Sequence, residues 1–193
     1  SYKVQADQQL CVGDRLELIR NVAERHIGSS EDLPGTEDFY ACMHSQSASL
    51  KLFTLVMLQL EDAIAKTNDE CCLEVQSAWQ KLFVNAKNVL TGRHGPNLLL
   101  YFHPEVEAKT LKPTYITLYE ELKEVGLRCV IGLVEYPFLD VSRTQVPDYG
   151  LKALEYAQLL PDPKVGICNS VAINISADRL YSVVDLFGAL EEY

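Results

Sequence analysis

Residues 97–103, NLLLYFH, mark the point at which the sequence pattern changes from helical to strand-like. The run is short and continuously apolar, which is typical of a strand covered on both faces. It is followed by PTYITLYEELKEVG at 113–126, an amphipathic pattern with proline in its first turn and glycine at its end. RCVIGLVEY at 128–136 is a second strand pattern. This alternation of strand and helix predicts a parallel sheet with crossover helices.

The same alternation continues toward residue 193. LKALEYAQLL at 151–160 predicts a short helix, and VGICNSVAINIS at 165–176 predicts a third strand. ADRLYSVVDLFGALEEY at 177–193 predicts a last helix. We therefore expect an α/β region over residues 96–193, built on a small, mostly parallel sheet of three or four strands.

The first half of the sequence reads as helices. Apolar residues recur at helical spacing over 7–26, and Thr36 followed by two acids is a good helix start. We expect the helix that begins there to run to about Lys66, because LKLFTLVMLQL at 50–60 is apolar on nearly all sides. TNDE at 67–70 signals the start of a third helix.

These patterns together predict the fold class and the domain organisation. The fold class is α/β, with an N-terminal helical bundle packed on the mostly parallel sheet. The helical region covers residues 1–95 and the α/β region covers 96–193, either as two units or as one continuous domain.

Charge and hydropathy exclude some classes of function. The 193 residues carry 27 acids against 17 lysines and arginines, a formal charge of −10 with a pI near 4.8. Such a surface repels phosphate backbones, so nucleic acid is not an expected partner. The sequence has no apolar run long enough for a membrane span and no signal-peptide core at its start. We expect a cytoplasmic or nuclear protein that does not associate with membranes.

Acidic residues follow each predicted strand. The carboxyl ends of parallel strands meet at one edge of a sheet, and hard oxygen ligands there suit Mg²⁺ or Mn²⁺. Polar residues also begin wherever strands end, and the sequence contains no zinc, P-loop, dinucleotide or nucleophile-elbow motif. We therefore expect no cofactor, with Mg²⁺ or Mn²⁺ as the alternative. The candidate metal ligands are Glu105, Glu135, Asp140, Asp178 and Asp185.

Tyrosines are concentrated in the second half of the chain. Tyr115 and Tyr119 share one helical face, and Tyr136 and Tyr149 flank the long connection after the second strand. Tyrosine is enriched at protein interfaces, so these four residues are candidate contacts to a protein partner. The alternative is that they are ordinary half-buried tyrosines that cover the sheet.

Four stretches of the second half carry a resemblance to a known family. They are PNLLLYFHPEVE, EELKEVGLRCVIGLV, PDPKVGICNSVAINIS and DRLYSVVDL. In this order they resemble a family of eukaryotic proteins that have a PIN-like, nuclease-fold domain after a helical region. The resemblance implies carboxylates that hold divalent ions for phosphodiester cleavage. The position that matches the first of those acids is Asn174, an amide that is a weaker ligand and no base.

Three hypotheses of function follow. The first is a protein-interaction or regulatory module with an acidic surface and no catalysis, because no catalytic motif is present. The second is a metal-dependent hydrolase of the PIN-like nuclease type, truncated or degenerate at its site. The third is a structural subunit of a larger protein complex.

Overall fold

The structure, a computed structural model, describes residues 33–61, 66–170 and 172. Five strands and four α-helices lie within these residues, with a short 3-10 helix (Arg143–Gln145) before the last α-helix. In chain order they are α1 (Thr36–Ser47), β1 (Phe53–Leu60), α2 (Asn68–Leu82), β2 (Leu90–His94), β3 (Leu98–Pro104), α3 (Ala108–Glu124), β4 (Cys129–Tyr136), α4 (Val146–Leu159) and β5 (Val165–Ile167).

The five strands form one mixed sheet in the order β2-β3-β1-β4-β5. β1 occupies the centre and runs antiparallel to both of its neighbours, so that Phe53 pairs with Pro104 on one side and with Tyr136 on the other. β2 and β3 form an antiparallel hairpin, and β5 alone runs parallel to its neighbour β4. The sheet is therefore mostly antiparallel.

Two helices cover each face of the sheet. Alternate residues of a strand point to opposite faces, so β1 contributes Val56 and Leu58 to one core and Leu55 and Met57 to the other. α2 and α3 pack on the first face, and α1 and α4 pack on the second. α4 lies very close to β4, since a Cβ built on Gly132 would be 2.7 Å from the Leu154 nitrogen.

The α/β class is confirmed, but the predicted architecture is wrong in two respects. The sheet is not mostly parallel, and residues 53–60 form its central strand rather than the middle of a helix ending near Lys66. α1 stops at Ser47, and β1 is buried at every position except Gln59. A strand covered by helices on both faces is apolar on all sides, which is also the pattern of a central helix.

Several local predictions are confirmed. α2 begins with a capping box, in which the Glu70 nitrogen donates to the Thr67 hydroxyl and the Thr67 nitrogen donates to the Glu70 carboxylate. Gly126 follows α3 with a φ of 82°, a backbone conformation that glycine adopts at low cost. The second predicted strand, 128–136, matches β4 almost residue for residue.

The predicted boundary at residue 95 falls inside the β2–β3 hairpin. β1 and β2 come before that point and β3 to β5 after it, and all five strands share one sheet. The third predicted strand, 165–176, is reduced to β5 among the described residues. The helices predicted at 7–26 and 177–193 lie outside the described residues. In the described part of the chain, no helix is both long enough and apolar enough to span a bilayer.

Candidate functional site

A pocket of about 360 Å³ opens at the carboxyl end of β1. There the end of β1 lies between the β2–β3 turn and the start of β4, and the last turn of α4 forms a further wall. The described residues that line it are Gln59, Leu60, Glu61, Asn97, Val130 and Gln158.

Backbone hydrogen bonds hold the end of β1 between its two neighbours. The Leu60 nitrogen donates to the Asn97 carbonyl at 2.8 Å, and the Glu61 nitrogen donates to the Arg128 carbonyl at 2.9 Å. The Asn97 side chain also donates from Nδ2 to the Leu60 carbonyl at 3.2 Å. Because both neighbours hold this segment, Gln59 and Glu61 project from a fixed backbone.

The β2–β3 turn is anchored to the start of α2. The Arg93 guanidinium donates to the Pro96 carbonyl at 2.7 Å and forms an ion pair with Asp69 at 2.7 Å. The Cys72 thiol lies 3.6 Å from the same Pro96 carbonyl. Gly95 takes a φ of 63° in the turn itself. These contacts fix the loop that brings Asn97 to the pocket.

The polar groups that face the pocket are side-chain amides and one carboxylate. Gln59 is exposed although both of its neighbours in β1, Leu58 and Leu60, are buried. Among the residues that the structure describes, no side-chain hydrogen bond is formed by Gln59, Glu61 or Gln158. An amide both donates and accepts, whereas a carboxylate only accepts. Such a set matches the mixed donors and acceptors along the edge of a nucleobase.

The three predicted metal ligands that the structure describes, Glu105, Glu135 and Asp140, lie at or beyond the strand ends at the opposite end of the sheet. Glu105 follows β3 and Glu135 lies near the end of β4, where both strands pair with the start of β1. Glu105 and Asp140 are exposed, and the Glu135 carboxylate accepts a hydrogen bond from the Ala108 nitrogen at 2.7 Å. Glu135 therefore caps the start of α3.

No group of three or more His, Cys, Asp or Glu residues that could hold an ion occurs within residues 33–61 and 66–170. Asn174, Asp178 and Asp185 lie outside the described residues. The metal-binding role of all five predicted ligands stays a prediction.

Two of the four candidate tyrosines lie in the core, which corrects the surface position expected for them. Tyr115 is fully buried, and its hydroxyl accepts from Trp79 Nε1 at 3.1 Å and lies 2.6 Å from His103 Nε2. Tyr119 is only 6% exposed and donates to the Asp162 carboxylate at 2.7 Å. A helical face at i and i+4 spacing can point inward as readily as outward, and here it faces the sheet.

The other two candidate tyrosines are partly exposed. Tyr136 stacks on Phe53 with ring centroids 5.0 Å apart. The Arg143 guanidinium lies over the Tyr136 ring, 4.6 Å from its centroid. Lys152 lies 4.9 Å from the ring centroid of Tyr149. The predicted role of Tyr136 and Tyr149 in partner binding stays a prediction.

His103 is a buried titratable residue that the sequence analysis did not single out. It lies in the α2–α3 face of the core beside Trp79 and Tyr115. Burial lowers the pKa of His103 from its ordinary 6.5 to about 3, because the charged imidazolium loses its hydration. The imidazole is therefore neutral at physiological pH. Its place in the core makes it part of the fold rather than of the pocket.

The fold is shared with a group of bacterial domains of known structure. The GGDEF domain of DgcB from Caulobacter crescentus, solved in complex with c-di-GMP, matches 72% of this chain and 93% of its own length, at 15% identity and a TM-score of 0.62. The active GGEEF domain of a diguanylate cyclase from Vibrio cholerae matches 72% and 99%, at 11% identity and a TM-score of 0.60. This chain has the fold of a GGDEF domain.

A further structural neighbour was solved together with a protein partner, and two other comparisons found no match. Diguanylate cyclase SiaD from Pseudomonas aeruginosa, solved with its activator SiaC, matches 81% of this chain and 69% of its own length, at 16% identity and a TM-score of 0.54. No family model and no curated protein matches the sequence. The sequence contains no Gly-Gly pair, so the letters GGDEF and GGEEF do not occur in it.

These matches overturn the resemblance to PIN-like nucleases. The structural neighbours are GGDEF domains, and the described parts of the strings on which the resemblance rested contribute β3, β4 and β5 to a mostly antiparallel sheet. The three hypotheses built on the sequence are contradicted as well, since these neighbours include diguanylate cyclases rather than interaction modules, nucleases or structural subunits. The predicted protein partner and cytoplasmic location stay predictions.

Sequence reasoning missed the pocket because it missed β1. Once residues 53–60 were read as helical, the predicted sheet had no strand ending at Leu60, and the search was directed to the ends of β3 and β4. The available signal was the appearance of Gln59 and Glu61 directly after an apolar run, the same feature that drew attention to the other strand ends.

Proposed function

We propose that this chain binds a guanine nucleotide in the pocket at the carboxyl end of β1. The observation that carries the proposal is the convergence of Gln59, Glu61 and Gln158 on one pocket in a domain of the GGDEF fold. Guanine presents two adjacent N–H donors on its Watson–Crick edge. A carboxylate accepts both in a charge-assisted pair, which makes Glu61 the proposed reader of the base.

The size and composition of the pocket support a ligand of this class. Its volume of about 360 Å³ falls at the lower end of the roughly 300 to 1,000 Å³ of small-molecule sites. Val130, which lies on the same face of the sheet as Gln59 and Gln158, supplies apolar surface for the flat face of a base, and the amides supply donors and acceptors at its edge. Adenine has an acceptor where guanine has its N1–H, so a carboxylate there disfavours adenine.

The structural neighbours give independent support for a ligand of the same class. One structural neighbour is described as bound to c-di-GMP, a molecule built from two guanine nucleotides. Identity to that neighbour is 15%, so the ligand of this chain is proposed on its own pocket residues. The net negative charge of the chain repels a nucleic-acid backbone, which carries many phosphates. It repels a single nucleotide less, because that ligand carries few phosphates.

Condensation of two GTP molecules into c-di-GMP, in which each 3′-hydroxyl attacks the other α-phosphate and two pyrophosphates leave, is a second candidate function. It is favoured by the neighbours that are named diguanylate cyclases. Phosphoryl transfer of this kind uses Mg²⁺ or Mn²⁺ to neutralise the phosphates. Glu61 is the one acid among the described residues that line the pocket, and Mg²⁺ is commonly held by one or two carboxylates together with substrate phosphates. The donor set therefore fits an ion that enters with a nucleotide. In this candidate Glu61 is its ligand.

Calorimetric titration with GTP and ATP, in EDTA and then in Mg²⁺, tests the proposal and separates the two roles of Glu61. Wild type is expected to bind GTP more tightly than ATP in both buffers. Glu61→Gln removes the charge but keeps the shape. Loss of the GTP preference by about fivefold or more in EDTA supports base reading. A loss seen only with Mg²⁺ supports metal binding and the second candidate.

Two matched variants control for general effects. Glu121→Gln changes an exposed acid of α3 on the other face of the sheet, and it should leave both affinities unchanged. Gln59→Leu should weaken GTP binding, whereas Gln80→Leu in α2 should not. Absence of GTP binding at millimolar concentration, or equal loss in the control variants, would overturn the proposal. Chromatographic detection of c-di-GMP after incubation with GTP and Mn²⁺ tests condensation directly.

A further inference from the structure

Arg128 lies directly beside Glu61, a residue that lines the pocket, and it has no ion-pair partner among the residues that the structure describes. The Glu61 nitrogen donates to its carbonyl, which extends the pairing of β1 and β4 by one residue beyond Leu60 and Cys129. Alternate residues of a strand face the same side, so Arg128 projects from the face that carries Val130 and the pocket. Its side chain is exposed to solvent.

The carboxylate directly across from Arg128 does not pair with it. Residues opposite each other on antiparallel strands have Cβ atoms about 5 Å apart, and opposite charges in such positions usually attract. Yet no ion pair within 4.0 Å joins Arg128 to Glu61 or to any other acid in the part of the chain that the structure describes. The guanidinium is left available in a chain whose formal charge is −10.

Two other cations near the pocket are already engaged. Lys164 donates to the Gln158 and Leu160 carbonyls at the end of α4, at 2.6 Å and 3.1 Å. Arg93 is committed to Asp69 and to the Pro96 carbonyl. Arg128 differs from both because its five N–H donors have no described acceptor, and a guanidinium binds phosphate oxygens in a bidentate fork.

We propose that Arg128 binds the phosphate of the ligand and so makes the pocket selective for nucleotides over nucleosides. This inference rests on the proposed function, because it assumes that the base occupies the pocket at the carboxyl end of β1. The two sets of residues bind different parts of the ligand. Glu61 and the amides bind the base, and Arg128 binds the phosphate at the other end of the same molecule. A nucleoside keeps the first set of contacts and loses the second.

Titration of guanosine, GMP and GTP against wild type, Arg128→Ala and Arg128→Lys tests this division. Wild type is expected to bind GMP about tenfold more tightly than guanosine, with a preference that falls as salt is raised. Arg128→Ala should bring GMP to the level of guanosine and leave guanosine unchanged. Arg128→Lys, which keeps the charge but not the fork, should recover part of the preference.

Lys51→Ala is the matched control. Lys51 is an exposed cation at the other end of β1, and its loss changes the net charge equally. Equal affinity of wild type for guanosine and GMP, or an unchanged GMP preference in Arg128→Ala, would overturn the role of Arg128 while guanine binding stands. Absence of binding by guanosine, GMP and GTP alike would overturn the proposed function, and the inference with it.

Discussion

Leu60 and Asn97 are joined by two hydrogen bonds that run in opposite directions. The Leu60 nitrogen donates to the Asn97 carbonyl, and Asn97 Nδ2 donates to the Leu60 carbonyl. The first is a backbone contact that almost any residue at 97 would allow. The second requires this side chain, which thus closes the last peptide of β1 against the β2–β3 turn. The wall of the pocket depends on that closure.

Asn97→Ala is expected to lower the free energy of unfolding by about 1 kcal/mol, the usual net value of one partly buried hydrogen bond. GTP affinity should fall by up to about fivefold, since the turn is no longer fixed to Leu60. Urea unfolding and calorimetry measure the two effects. Asn85→Ala, at an exposed position after α2, should change neither. Unaltered GTP affinity in Asn97→Ala would show that the turn does not shape the binding site.

Stability should depend on pH through His103. The folded-state pKa is about 3 and the unfolded value is 6.5, so the unfolded chain binds the extra proton between these values. The contribution of the neutral imidazole is complete above pH 6.5 and is lost as pH falls toward 3, by up to about 1.4 kcal/mol per pH unit. Urea unfolding at pH 7.5, 5.5 and 4.5 should show a smaller decline in His103→Phe than in wild type.

His94 provides the control for that series, because it is exposed and contacts the Thr36 hydroxyl at the surface. His94→Gln should reproduce the wild-type decline. Identical slopes for wild type and His103→Phe would contradict the burial of a neutral imidazole in the α2–α3 face.

Tyr115→Phe should destabilise the same region at neutral pH. The substitution removes the hydroxyl that accepts from Trp79 Nε1 and contacts His103 Nε2, leaving both polar atoms buried without that partner. The expected loss is about 1–3 kcal/mol in the free energy of unfolding. Tyr156→Phe, at a partly exposed tyrosine of α4, should change stability by less than about 0.5 kcal/mol. Equal effects of the two changes would argue against the buried network.

Gly132→Ser tests the close approach of α4 to β4. A Cβ at this position would meet the Leu154 nitrogen at 2.7 Å and the Ala153 carbonyl carbon at 2.8 Å, so the helix must shift. We expect a loss of about 1–3 kcal/mol, measured by urea unfolding. Gly35→Ser is the matched change at a position with nothing within 4 Å of the added Cβ, and it should be neutral or stabilising. A neutral result at Gly132 would contradict the packing of α4 on β4.

The sequence correctly predicted helix ends that are marked by local motifs, such as a capping box or a terminal glycine. The capping box at Thr67 and the glycine after α3 are local, so they could be identified without knowledge of the fold. β4 was predicted from the short apolar run RCVIGLVEY at 128–136. Each of these depends on residues that are close in sequence.

β1 could not be distinguished from a helix by the same reasoning. Its apolar character on all sides comes from helices on both faces of the sheet, which are far away in sequence. That error also directed the search for a site to one end of the sheet only. The antiparallel direction of β1 puts Gln59 and Glu61 at the other end, away from the carboxyl ends of β3 and β4. Strand direction depends on pairing, and pairing is not visible in one sequence.

The most direct test of the account is the melting temperature of wild type with GTP and with ATP at equal millimolar concentration in EDTA. A ligand at a hundredfold excess over its Kd stabilises the folded state by about 2.7 kcal/mol. The account predicts a clear rise with GTP, a smaller rise with ATP, and loss of the difference in Glu61→Gln. No rise with GTP, or equal rises with GTP and ATP in wild type, would contradict the claim that this pocket binds a guanine nucleotide.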